Sequence, residues 1–135
     1  MIPRDLQLVA LRPEIPSARV SENMSLDEQF QNRTLRPIAK LQDELLLEVF
    51  RNYTKKHKNK FYEFKLEKRF IYIENAIQKD IKFRNSLKGI IIGQFTLEEY
   101  ANYIENSSAL NKRMMNIVKE RLQSNIQLLE EEIAY

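Results

Sequence analysis

Apolar residues recur at helical spacing along most of the chain after residue 25. The cleanest stripe consists of Leu66, Phe70, Ile73, Ile77 and Ile81, which follow one another at steps of three or four residues. This period places the side chains of a stripe on one face of an α-helix. The pattern therefore predicts an all-α fold, a single-domain bundle of about five helices.

The first helices of the bundle are marked by a cap and a proline. Ser25 and Glu28 fit a capping box, which predicts that a short helix over about 26–33 begins there. Pro37 interrupts the apolar stripe and is expected in the first turn of a longer helix over about 36–57, because proline suits that position. A single helix kinked at Pro37 is the alternative.

The two glycines of the chain lie in its middle. Residues 81–92 are predicted to form a buried helix, and we expect Gly93 to end it in a left-handed cap. Gly89 lies four residues earlier, and this spacing predicts a close contact between two helix backbones.

The last third of the chain has two further start signals. Thr96 and Glu99 fit a second capping box, which opens a predicted helix through Ile104. A final long helix is expected over about 109–133, where one apolar face runs from Leu110 to Ile133.

Residues 1–24 differ from the helical domain predicted over 25–135. They contain Pro3, Pro13 and Pro16, and their apolar residues follow no sustained period, so we predict an extended arm. The arm has too many apolar residues for a simple solvated tail. It is therefore expected to lie on its own body, to remain mobile, or to bind a partner.

Composition supports the helical prediction and excludes several kinds of site. The 135 residues include 2 glycines and 4 prolines, too few for the tight turns of a sheet protein. Cysteine is absent and His57 is the single histidine, so thiol chemistry is excluded and a transition-metal site is not expected. We predict no cofactor.

With no 18-residue apolar stretch and no signal-peptide pattern, we expect a cytoplasmic protein without a membrane contact.

The net charge of +3 is concentrated in one short block. Residues 51–69 hold 8 basic and 2 acidic side chains. Interleaved cations and aromatic rings are typical of proteins that bind single-stranded nucleic acid. The alternative is a lysine-rich helix junction whose rings face the core. The candidate residues for nucleic-acid binding are Lys55, Lys56, Lys58, Lys60, Phe61, Tyr62 and Arg69.

A second set of polar residues is a candidate for a pocket. These side chains lie on the two central helices, where they either converge or form solvated helix faces: Glu74, Asn75, Gln78, Arg84 and Asn85. No catalytic motif accompanies them, so the catalytic residues are unknown.

Several segments resemble a group of small bacterial proteins of unknown function, some of which carry the label glyoxalase. The resemblance is carried by residues 30–37 (FQNRTLRP), 72–77 (YIENAI), 80–89 (DIKFRNSLKG) and 93–96 (GQFT). It implies membership of that group, and the label implies a lyase that acts on a 2-oxoaldehyde adduct. Glyoxalases of the vicinal-oxygen-chelate type have a βαβββ fold and His and Glu metal ligands, so no catalytic residue is transferred to this sequence.

The sequence favours a non-catalytic protein, because it has several long apolar helix stripes and few clusters of polar residues. We expect it to associate with itself or with a protein partner through its helices. A glyoxalase-type enzyme and a single-stranded nucleic-acid binder acting through residues 51–69 are the two alternatives.

Overall fold

The computed structural model describes residues 1–133, and side chains as far as residue 129. This part of the chain is all-helical and contains no β-strand, which confirms the predicted fold class. The expected helices are divided into more and shorter segments: α1 (Pro3–Leu11), α2 (Leu26–Phe30), a π-helical turn (Gln31–Leu35), α3 (Arg36–Leu41), α4 (Asp43–Lys56), a 3₁₀ turn (Lys60–Glu63), α5 (Leu66–Lys79), α6 (Ile81–Ile92), α7 (Leu97–Glu105), α8 (Ser107–Ser124) and α9 (Ile126–Ile133).

Helix α8 is the central element of the bundle. It packs against α3, α4, α5, α6 and α7, as well as the π-helical turn. Its buried face carries Leu110, Met114, Ile117, Val118 and Leu122. The apolar stripe that predicted this helix is therefore the one that faces the core.

Pro37 lies in the first turn of α3, as predicted, but it does not interrupt the helical course of the backbone. The backbone remains helical from Leu26 to Leu41 because residues Gln31–Leu35 form a π-helical turn, in which the Arg36 amide donates to the Gln31 carbonyl. Such a turn is wider by one residue than a turn of α-helix. The predicted gap between helices near residue 34 is therefore absent, and the helix predicted over 36–57 is divided at Gln42 into α3 and α4.

The predicted final helix is divided at Asn125. The backbone leaves helical geometry there (φ −103°, ψ 20°). The Asn125 side-chain amide donates to Asp43 and to the Arg121 carbonyl, and Arg121 donates two hydrogen bonds to the same aspartate. This cluster joins the end of α8 to the start of α4 and accounts for the break.

The two glycines require a correction. Gly93 ends α6 as predicted, but with right-handed backbone angles (φ −59°, ψ −16°) instead of a left-handed cap. Gly89 is exposed, and a Cβ built on it would meet no atom within 4 Å. The Gly89–Gly93 spacing therefore does not mark a close contact between two helices.

The N-terminal arm is partly helical. Pro3 occupies the first turn of α1, a position that needs no backbone amide donor, and Asp5 lies in the same turn. The prediction of a wholly extended arm is wrong because proline there initiates a helix. Residues 12–24 contain no helix, and the arm lies against the body through contacts described below.

The helical pattern has two further consequences. The βαβββ fold that the glyoxalase label implies is not found in residues 1–133. Among those residues, no helix combines the length and the apolar character needed to cross a membrane.

Candidate functional site

The carboxylate of Glu99 joins the arm to the body. The Arg12 guanidinium donates to both of its oxygens, at 2.6 and 2.7 Å, and the Thr34 hydroxyl donates to one of them at 2.9 Å. Thr96, the residue that caps α7, donates its backbone amide to the other oxygen at 2.8 Å. One carboxylate therefore holds together the arm, the π-helical turn and the start of α7.

This junction satisfies the hydrogen-bonding capacity of Glu99. Burial alone raises the pKa of its carboxyl, but the hydrogen bonds from Arg12, Thr96 and Thr34, together with the Arg12 charge, outweigh burial and lower the pKa. Two carboxylate oxygens accept about four hydrogen bonds, and all four are made here. Glu99 is therefore a structural group, poorly suited to accept a proton from a substrate.

A second contact fixes the first turn of α1. Asp5 is only 4% exposed; its Oδ2 accepts the backbone amide of Leu97 at 3.0 Å, at the N-terminus of α7. Arg4 donates to the Asp5 carboxylate and to the carbonyls of Gly93 and Phe95. The arm is thus held at both ends of α1 by polar contacts with the segment around α7.

A cleft of about 1180 Å³ lies between the arm and the body. We call it the arm cleft. One wall is formed by arm residues 12–19, and the other walls by α2, the π-helical turn and α7, with Leu110 of α8. Its apolar lining consists of Met1, Val9, Pro13, Ile15, Pro16, Ala18, Leu26, Phe30, Pro37 and Leu110.

The arm cleft is acidic although the chain is basic overall. Its lining includes five acidic residues and three arginines, against a net charge of +3 for the whole chain. Arg12 and Glu99 neutralise each other. Glu98, Asn102 and Glu105 follow at steps of four and three residues along α7 and so share one face of that helix.

Helix α1 carries exposed apolar side chains. Ile2, Leu6 and Val9 lie at helical spacing and are each between 42% and 52% exposed, whereas Asp5, one turn before Val9, is buried. Because Val9 also lines the arm cleft, the apolar surface of α1 reaches the edge of the cleft.

The residues proposed to bind nucleic acid are placed differently from one another. Lys55, Lys56, Lys58 and Lys60 are exposed at the end of α4 and in the turn that follows. Phe61 is 0% exposed and packs against the rings of Phe50 and Tyr72, so it offers no surface to a nucleic-acid base.

Tyr62 and Arg69 are also engaged with the protein. Tyr62 is half-buried, with its ring 5.2 Å from that of Phe61. Arg69 donates to the carbonyls of Tyr62 and Phe64, and its guanidinium lies 5.5 Å from the Phe61 ring centre. The structure thus divides the candidate set into exposed lysines and rings that face inward.

The five polar-pocket candidates do not converge. Glu74 and Gln78 face each other along α5 at 3.5 Å, and Asn85 is exposed on α6. Arg84 is half-buried, and its Nε has no hydrogen-bond partner within the described residues. Asn75 alone lines a groove, which also contains Tyr53 and His57 and is considered below.

Within the described part of the chain, no group of three or more His, Cys, Asp or Glu residues could hold a metal ion. Comparisons with protein-family models, with curated proteins and with solved structures gave no match.

Proposed function

We propose that this protein is a non-catalytic binding protein that holds a segment of a partner polypeptide in the arm cleft. The observation that carries the proposal is the cleft itself, about 1180 Å³ in volume and lined by apolar and charged side chains. Ligand pockets for small molecules are typically about 300 to 1000 Å³, so this volume suits a short peptide segment.

Apolar surface supports a polypeptide as the occupant. Leu26 lines the cleft and is 82% exposed, and the apolar face of α1 reaches the same edge. An exposed apolar surface next to a concave site is typical of protein-binding surfaces. The partner segment is therefore expected to contribute apolar side chains.

The charges of the cleft favour a partner segment that also carries lysine or arginine. Glu98 and Glu105 line the cleft from one face of α7 and have no ion-pair partner among the described residues. A basic side chain of the partner would complement these carboxylates.

Two leucines provide a matched test. Leu26 and Leu66 each occupy the first position of a helix and are each more than half exposed, but only Leu26 lines the cleft. Random 12-residue peptides displayed on phage are selected against the full chain, and the affinities of the selected peptides are measured with L26Q and L66Q. We expect L26Q to weaken binding at least fivefold and L66Q to leave it unchanged.

A second pair of variants tests the charge of the partner. E98Q/E105Q should weaken the binding of lysine-containing peptides, whereas E44Q/E67Q, which changes exposed carboxylates on α4 and α5, should not. Selection of no peptide, or equal loss in L26Q and L66Q, would refute the cleft as the site.

Self-association is tested by sedimentation over a hundredfold range of concentration. If a second copy of the chain occupies the cleft, the weight-average molecular mass rises with protein concentration for the native chain and for L66Q, but not for L26Q. That result would replace the separate partner in this proposal with a second copy.

A further inference from the structure

We propose a second binding site, independent of the arm cleft, that takes one nucleotide of a single-stranded nucleic acid. It lies where α4, α5 and α6 meet, in a groove of about 600 Å³. We call it the His57 groove. Its lining includes Tyr53, His57, Lys79, Asp80 and Lys82.

Three rings form a continuous stack from the core to the surface. The ring centres of Phe83 and Tyr53 are 4.1 Å apart, and those of Tyr53 and His57 are also 4.1 Å apart. Phe83 is buried at one end and His57 is exposed at the other. The imidazole therefore offers an outer face on which a base can stack, as bases stack on rings in single-strand-binding proteins.

The imidazole is held in position before any ligand binds. His57 Nδ1 lies 2.8 Å from the Tyr53 carbonyl oxygen. A carbonyl can only accept, so Nδ1 carries the proton of this hydrogen bond. The ring is thus fixed by a hydrogen bond on one edge and by the Tyr53 ring on one face, which reduces the ordering that binding requires.

The polar residues of the groove suit a phosphate. Lys79 and Lys82 are exposed, and their side-chain ammonium groups make no hydrogen bond or ion pair within the described residues. The carboxylate of Asp80 already accepts one hydrogen bond, from the Phe83 amide at 3.2 Å. Its charge remains in the groove but is outnumbered by the two lysines.

The His57 groove changes which residues would bind nucleic acid. The sequence suggested Phe61 and Tyr62 as the stacking rings, but both pack inward. The exposed ring is His57, between Lys56 and Lys58 in the sequence, and the lysines of α5 and α6 lie in the same groove. Stacking surface and cations are therefore combined at this junction.

The proposal is tested with a fluorescein-labelled 12-nucleotide single strand of deoxyadenylate, whose anisotropy is measured against the full chain at 20 mM salt. We expect H57A to weaken binding at least fivefold and H57F, which keeps a ring, to stay within twofold of the native chain. K79Q/K82Q should weaken binding and lower the slope of log affinity against log salt by about 0.7, the value for the one phosphate that the two lysines hold.

Matched controls make the result decisive. K40Q/K112Q removes two exposed lysines outside the groove and should leave affinity and salt slope unchanged. Absence of binding at 20 mM salt, equal weakening in K40Q/K112Q, or equal affinity for a strand that lacks bases would each overturn the proposal. Displacement of the strand by adenosine monophosphate at equal nucleotide concentration would reassign the groove to free nucleotides and overturn its assignment to a strand.

Discussion

The arm cleft and the His57 groove are built by opposite means. The cleft depends on a buried ion pair between residues 87 positions apart, Arg12 and Glu99. The groove is formed by three consecutive helices, and its lining includes the Tyr53 ring and Asp80, which caps α6. One site thus relies on a long-range electrostatic contact and the other on local packing.

The difference determines how each site responds to substitution. A buried charge that loses its partner is strongly destabilising, because the remaining charge has been removed from water. A stack of rings loses only part of its contacts when one polar atom is removed. We therefore expect the arm cleft to be sensitive to single changes of charge and the His57 groove to tolerate small polar changes.

Substitution of Glu99 should give the largest effect. E99A leaves the Arg12 guanidinium, whose side chain is 9% exposed, without its partner. We expect the free energy of unfolding to fall by about 3 kcal/mol, measured by urea denaturation. E48A, which removes the 63% exposed carboxylate of the Arg51–Glu48 pair, should change it by less than about 1 kcal/mol.

The double variant R12M/E99M is the complementary control. It removes both charges and keeps apolar volume, so most of the lost stability should return. If E99A and E48A have equal effects, the buried ion pair is not what distinguishes the arm cleft from the His57 groove.

Acid should weaken the same junction to a smaller extent. The pKa of Glu99 in the folded chain lies below its ordinary value of 4.5, so the folded state favours the carboxylate. Its contribution to stability is complete above pH 4.5 and is lost progressively as the pH falls through the folded pKa. The difference in unfolding free energy between the native chain and E99Q should therefore shrink below that pH. A constant difference between pH 7 and pH 3 would contradict this expectation.

Substitution of Tyr53 should give the smallest effect. Burial, then the charges of Asp80 and Tyr72 and the hydrogen bond with Asp80, raise the pKa of Tyr53 to about 12. Y53F keeps the ring in the stack and removes only the hydroxyl, so we expect a loss of about 1 kcal/mol by urea denaturation. In an ultraviolet titration, the transition near pH 12 should disappear in Y53F, whereas Y100F should retain it.

The sequence predicts the regular parts of this fold better than its junctions. The stripe through Leu66 and Ile77 predicts α5, and the Thr96–Glu99 capping box is present with both of its hydrogen bonds. Periodicity and caps depend on neighbours within about four residues, so they can be inferred locally. The π-helical turn and the break at Asn125 depend on contacts from distant segments, which no local pattern contains.

The candidate site was predicted least well. Glu99 was recognised as a capping residue, but its partner Arg12 lies in the arm and follows no motif. The face formed by Ile2, Leu6 and Val9 has helical spacing, which could have indicated α1 if Pro3 had been interpreted as a first-turn residue. That these apolar side chains are exposed could not be inferred, because a sequence pattern does not say which side of a helix meets the core.

The contacts of α1 also constrain the time course of synthesis. Asp5 accepts a hydrogen bond from Leu97, which is added to the chain 92 residues later. At about 5 to 20 residues per second, roughly 5 to 20 seconds pass before the ribosome has made that partner. During this interval Leu6 and Val9 are available to chaperones or to a binding partner, so α1 is made before α7 and can reach its position only after α7 has been made.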